Sequence, residues 1–508
     1  MMRFWLILAL ASFLFPSVVT AQEDVTVTLE APTDVSEPAA EPDGSPKSQS
    51  RSVRIAGESI EYQAIPDTLT LKDDKGEPRA KIFFAYYRVK QEADAPERPI
   101  TFCFNGGPGS ASVWLHMGML GPKRLVIDSD AGRLPPPHGY IDNEFSLLDV
   151  TDLVFVDPVG TGYSKATDPK KKGDFYGFRK DLKSLAEFIQ LFVTKNERWG
   201  SPKFLLGESY GTLRVAGLAR ELQNTYRMEI NGLVLVSSVL DFRTIRASGS
   251  NDLPYILFLP TLTATAWYHE QLDDGLQKDL AKTVEQARKF AFGEYATALL
   301  KGADLPKKKR RRVAERFAKL TGLDAEYILD ANLRVDMSRF AKELLEEQQV
   351  SVGRFDSRYT GPVADLIDDR YDTDASSSAL FGAFTSVVNQ YFREDLGVKR
   401  DEPYEILARL DWDWDSENGY VTSADMLSAA MRQNPALKVF VANGYYDLAT
   451  PFAATEYTFN HLTPRSLREH VTMEYYEAGH MMYVHEPSLE KLRTDLVKYF
   501  EAAIPSQK

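Results

Sequence analysis

Cysteine is nearly missing from this sequence: Cys103 is the only one in 508 residues. A single thiol excludes an internal disulfide, so the fold must rest on its core, which a chain of this size can build. Cys103 itself sits in the apolar run "ITFCF" and is expected to be a core residue rather than a nucleophile. Basic charge is in deficit as well, with 60 Lys and Arg against 73 Asp and Glu, a formal net charge of -13. Such a chain repels phosphate backbones, so nucleic acid is not an expected partner. The basic run "PKKKRRR" is accordingly read as a solvated helix face rather than a targeting or nucleic-acid signal. Long apolar runs are lacking: Phe4 to Phe15 is too short to span a bilayer comfortably, and no other run is longer. No H-E-x-x-H pattern or cluster of metal ligands is present, so no metal or cofactor is called for.

What is present begins with a signal-like start. Arg3, the apolar run and Val19-Thr20-Ala21 predict a secretory signal over residues 1–21, cut after Ala21. Residues 22–53 are rich in Glu, Asp, Pro, Ser and Ala and are expected to form a flexible tether. A secreted chain without disulfides fits a bacterial periplasm or the extracellular space, with no stable membrane insertion after cleavage.

Next, alternating apolar residues in "SIEYQAIPDTLTL" and "AKIFFAYYRVK" flank the turn cluster "KDDKGEPR", which predicts a β-hairpin. From Pro99 the pattern changes. "PITFCFNGG", "TDLVFVDPVG", "KFLLGES", "GLVLVSSV" and "LKVFVANG" are short, continuous apolar runs ending in small residues. Continuous runs are required of strands buried on both faces. Helical patterns lie between them, such as "DLKSLAEFIQLFVTK", with Leu182, Leu185, Phe188, Ile189 and Phe192 on one face. The alternation predicts an α/β fold with a mostly parallel central sheet flanked by helices. Between residues 241 and 403 the sheet rhythm gives way to amphipathic helices, read as a helical cap insertion. The core is thus expected in two parts, 54–240 and 404–508.

Gly207-Glu208-Ser209-Tyr210-Gly211 is a G-x-S-x-G between an apolar strand and a helical pattern. That context is a nucleophile elbow, a tight turn that exposes a serine hydroxyl. A serine needs a base and an orienting acid. His480, in a loop after a β-rich run, is the favoured base, with His485 the nearest rival; the other five histidines lack that context. Asp447, in the turn after "LKVFVANG", is the favoured acid, with Asp241 the competitor one strand earlier. A tetrahedral oxyanion needs two backbone donors: Tyr210, which follows the nucleophile, and a donor from the loop Asn105-Gly106-Gly107-Pro108-Gly109.

"NGGPGS", "VDPVGTGYS", "GESYGT", "LPYILFLPTLTATAWYH", "NGYYDLATP" and "EAGHMMY" together resemble the serine carboxypeptidases, the peptidase S10 group, over roughly Arg54 to the C-terminus. The resemblance implies an α/β-hydrolase fold with a helical cap. It also implies removal of single C-terminal residues from peptides through an acyl-enzyme. By it Ser209, Asp447 and His480 are the triad, and Gly107 and Tyr210 supply the oxyanion N–H groups. It assigns Asn105, Gly106 and Glu208 to a site for the substrate's terminal carboxylate, which a glutamate can bind only when it carries a proton. The peptidase action is therefore expected to favour acidic pH, and the partners are peptides with a free C-terminus. The sequence departs from the family where a second glutamate is usual: counting back from Gly121-Pro122 finds Met119. The missing disulfides and a shortened "VDPVG" fit a divergent bacterial branch. Met119 keeps open an esterase or acyltransferase using the same triad. A peptide-binding protein without turnover is the more distant alternative.

Overall fold

The computed structural model describes residues 48–504, apart from 93–94, 365–370, 372, 415 and 417–418. The expected signal segment and residues 22–47 of the expected tether lie outside the described residues. The apolar runs form strands of one ten-stranded sheet. They are β1 (Gln49–Ile55), β2 (Glu58–Lys72), β3 (Pro78–Val89), β4 (Ile100–Phe104), β5 (Asp152–Val156), β6 (Lys203–Glu208), β7 (Gly232–Val236), β8 (Lys438–Gly444) and β9 (Val471–Tyr476). Their spatial order is β1-β2-β3-β5-β4-β6-β7-β8-β9, with Lys165–Ala166 as a short tenth strand on β3. From β5 to β9 every pairing is parallel, whereas β1, β2, β3 and β5 pair antiparallel. The β2–β3 hairpin turns where Asp73 Oδ1 accepts the N–H groups of Lys75 and Glu77, both at 2.9 Å.

The runs are continuous because alternate residues serve opposite faces. Leu233, Leu235, Val439 and Val441 pack with helices α1 (Phe178–Lys195) and α2 (Tyr210–Glu221). Val234, Val236, Phe440 and Ala442 pack on the other face with residues of Ala375–Glu394 and Glu486–Ala503. All five apolar positions expected on one face of α1 are buried. The sole cysteine is buried in β4, and burial pushes its thiol well up.

The excursion between β7 and β8 carries a core of its own, built by α3 (Leu253–Tyr268), α4 (Lys307–Thr321) and residues on to Val352. The described residues nevertheless fall within one packed unit. Two boundaries differ from the sequence reading. The tether was expected to reach residue 53, yet Gln49–Ile55 pairs with β2, because Val53 and Ile55 turn inward on an alternating edge strand. The cap was expected to run to 403, yet α5 (Ala375–Glu394) joins the sheet-side core through Phe384, Val387, Val388, Tyr391 and Phe392. The basic run opens α4, where Arg311 pairs with Glu326 and Arg312 with Glu294 on the exposed face. Among the described residues no helix is long and apolar enough to cross a membrane.

Candidate active site

Parallel strands present their C-terminal ends together, and β6, β7, β8 and β9 are neighbours. Ser209 follows the last residue of β6 and precedes α2, with φ +59° and ψ −129°. That is a sparsely populated backbone region for a residue with a side chain. The flanking glycines make the turn possible: a Cβ on Gly207 would meet Gly211 O at 2.2 Å. The turn is tied to the next strand by the Ser209 N–H, which donates to Val236 O at 3.0 Å.

Asp447 lies in the turn after β8 and is fully buried. Its Oδ1 accepts the N–H groups of Ala449 (2.8 Å) and Thr450 (2.9 Å). Its Oδ2 accepts the Thr450 hydroxyl (2.7 Å) and His480 Nδ1–H (2.8 Å). His480 follows β9, and its position is fixed at the backbone. Its N–H donates to Phe355 O at 2.5 Å, and its carbonyl accepts the Ser237 hydroxyl at 2.6 Å. Burial disfavours a charge on His480, but the Asp447 carboxylate and its hydrogen bond outweigh this and raise the imidazole pKa. Thr450 and Ser237 were not singled out in the sequence. A hydroxyl three residues after an Asp is a turn signal that finds Thr450; nothing local marks Ser237.

Gly107, Ser209 and Tyr210 line one cavity of about 440 Å³, together with Leu448, Ala449 and Thr450 from the Asp447 turn. The glycine loop rests directly on the elbow, since a Cβ on Gly106 would lie 2.5 Å from Tyr210 N. As a first-turn amide, the Tyr210 N–H has no acceptor within its own helix. Arg214, fully buried on α2, holds this loop: it pairs with Asp181 at 2.7 Å and donates to the carbonyls of Asn105 and Pro108. Nothing marks this role in the sequence beyond an arginine among apolar helix residues.

Asn105, Gly106 and Glu208 lie together but are buried and do not line that cavity. Burial lifts the Glu208 carboxyl to about 7, against the lowering effects of His480, the Tyr483 hydroxyl and Asn105. Tyr483 OH donates to Glu208 Oε2 at 2.7 Å and links the His480 loop to the residue before Ser209. Tyr483 stood in the quoted motif but without a role. Met119 is buried in the apolar core. Its neighbour Gly118 has no room for a Cβ, which would meet the Tyr483 ring at 2.5 Å.

The rival residues do other work. Asp241 caps a short turn through the Arg243 N–H (2.9 Å) and pairs with the Arg243 guanidinium. His485 Nδ1 meets Ser488 Oγ at 2.7 Å, at the start of α6 (Glu486–Ala503). His116 is buried against Phe155 and within 2.7 Å of Tyr87 OH; burial lowers its pKa to about 3. His269 meets Ser357 O, His461 meets Tyr457 O, and His470 meets Lys438 Nζ.

A family model described as serine carboxypeptidase matches residues 73–494. Serine carboxypeptidase-like 8 of Arabidopsis thaliana is 29% identical over 142 residues, covering 27% of this chain and 31% of that protein. The pheromone-processing carboxypeptidase KEX1 of Yarrowia lipolytica is 30% identical over 159 residues, covering 31% of this chain and 24% of that protein. These alignments thus span less than a third of each relative's length. The crystal structure of KEX1(delta)p, a prohormone-processing carboxypeptidase from Saccharomyces cerevisiae, superposes with a TM-score of 0.53 at 16% identity. It covers 86% of this chain and 91% of its own, and the shared fold is that of the α/β-hydrolases. With the family match running through most of its length, the chain belongs to the serine carboxypeptidase family.

Proposed function

We propose that this chain is a secreted serine carboxypeptidase that releases C-terminal residues from peptides through an acyl-enzyme. The observation that carries the reading is the buried Asp447–His480 pair, held at 2.8 Å at the sheet end where the Ser209 elbow protrudes. Ser209 Oγ attacks the last peptide carbonyl while His480 Nε2 takes its proton. The Gly107 and Tyr210 N–H groups stabilise the oxyanion. His480 then gives the proton to the departing amine, and the C–N bond breaks. Water, deprotonated by the same imidazole, hydrolyses the ester and restores Ser209. Asp447 keeps the Nδ1 proton in place and favours the imidazolium that forms. Glu208, Asn105 and Gly106 receive the terminal carboxylate, with Glu208 protonated on the acid side of neutrality.

Mass spectrometry of peptides incubated with the purified protein tests this directly. Successive loss of C-terminal residues is expected, absent for C-terminal amides and abolished in Ser209→Ala. Full hydrolysis by Ser209→Ala would end the proposal. N-terminal sequencing of the exported protein, beginning at Gln22, checks the secretory part.

A second reading, an esterase or acyltransferase with the same triad, draws on one observation. Among the described residues Glu208 is the one acid beside Asn105 and Gly106, and Met119, where the family resemblance places a second glutamate, is buried in the apolar core. Equal turnover of free and amidated peptides, or preferred turnover of simple esters without acidic preference, would favour it.

A further inference from the structure

The cavity beside Ser209 holds more positive charge than the Ser209 chemistry requires. Its lining includes Arg246, from the loop after β7, and Arg354, from the cap chain that leads into Phe355. Among the described residues neither guanidinium has a carboxylate at ion-pairing distance or an acceptor for its N–H groups. Each is instead stacked on aromatic rings. Arg354 Cζ lies 4.9 Å from the Phe355 ring centroid, and Arg246 Cζ lies 5.5 Å from Phe242 and 5.6 Å from Trp414. Stacking engages the face of a guanidinium and leaves its edge, a planar fork of donors, free for a carboxylate. Among the described residues the lining contains one carboxylate, Asp336, whose Oδ1 is already committed to the Arg339 N–H that it caps.

The side of the scissile bond follows from the lining. Ser209 and both oxyanion residues border the cavity, whereas Asn105, Gly106 and Glu208 do not. If the leaving residue's carboxylate belongs with those three, the acyl group extends the other way, into the cavity. We propose that Arg246 and Arg354 form an anion subsite on the acyl side, so that the protein selects substrates with an acidic residue, Glu or Asp, immediately before the bond cleaved. The inference rests on Ser209 being the nucleophile, but not on whether the leaving group is an amino acid or an alcohol.

The test is a panel of blocked dipeptides and matching esters that differ only in the acyl residue: Glu, Gln, Asp, Asn and Lys. The expected result is a kcat/KM for Glu over Gln of about tenfold or more at low salt. That ratio should shrink as ionic strength screens the pair, fall to near one in the Arg246→Gln/Arg354→Gln double variant, and turn toward Lys in Arg246→Glu. A flat panel, a Lys preference in the unaltered protein, or a Glu preference that survives in the double variant would overturn the inference. Calorimetry on Ser209→Ala gives a readout without turnover: the acetyl-glutamyl peptide should bind about tenfold tighter than the glutaminyl one. Should no substrate turn over, the Ser209 reading fails, while calorimetry still decides the anion subsite: tighter glutamyl binding supports it, and equal binding overturns it.

Discussion

Glu208 keeps its proton up to about pH 7 and is only partly ionised there, because burial removes the water that would stabilise its charge, and Tyr483 and Asn105 replace that water only in part. The direction of each contribution predicts a pH profile. While Glu208 is protonated it can donate to a terminal carboxylate; once ionised it repels one. KM for peptides with a free C-terminus should therefore climb above pH 7, and Glu208→Gln should flatten that climb. The Tyr483 hydroxyl stabilises the ionised form, so Tyr483→Phe should move the climb to higher pH by about one pH unit, the worth of a hydrogen bond to a charged group. Michaelis constants measured from pH 5 to 9 for the three proteins check this. An unchanged midpoint in Tyr483→Phe would show that its contact with Glu208 is only packing. The acid side of the profile belongs to His480. In the proposed mechanism it must be neutral to act as the base, and Asp447 raises its pKa against the effect of burial.

At the scale of elements, the strand–turn–helix unit of β6, Ser209 and α2 leaves no slack. A Cβ on Gly207 would press on backbone atoms, Gly211 O at 2.2 Å and Thr212 N at 2.8 Å, which cannot rotate away. Gly207→Ala should thus lower stability by at least about 3 kcal/mol in denaturant melts. Gly293→Ala, where a Cβ meets nothing within 4 Å, should be nearly neutral, and equal losses in the two would refute the steric account. This unit was legible in the sequence because its needs are local: an apolar run, two glycines around a serine, then a helical pattern. The parallel strands were legible for a similar reason, since burial on both faces demands uninterrupted apolar residues. The edge strand β1 was not, because only Val53 and Ile55 of it need be apolar and its neighbours read as tether. Nor was the sheet-facing role of α5, whose apolar stripe carries no sign of which core it will join. Ser237, Tyr483 and Arg214 act through partners more than 30 residues away, whereas Thr450 bonds Asp447 only three residues earlier. Nor did the sequence show that Arg246 and Arg354, more than 100 positions apart, would share a cavity.

Across the whole molecule, Asp157 joins segments that the cap insertion separates. It lies just after β5, accepts the Ser112 N–H (3.0 Å) from the segment after β4, and accepts the Tyr404 hydroxyl (3.2 Å) from the chain returning from the cap. Complete burial outweighs those donors and pushes its pKa from 3.8 to about 7. Below 3.8 both the folded and the unfolded chain hold the proton; between 3.8 and about 7 only the folded chain does. The folded state then binds more protons than the unfolded one, so stability falls as pH rises through that window. Each tenfold change in proton affinity is worth about 1.4 kcal/mol, which makes the loss on the order of 4 kcal/mol by pH 8. Asp157→Asn keeps an oxygen acceptor for both donors and cannot ionise. Its stability relative to the unaltered chain should rise steadily from pH 4 to pH 8. His116, whose pKa burial lowers to about 3, works in the opposite direction in both proteins and cancels from the comparison. Chemical denaturation of the pair at a series of pH values measures the difference directly. Parallel stability profiles would mean that Asp157 is ionised in the folded protein at no energetic cost, and that the link between the sheet and the returning cap chain is an ordinary charged contact.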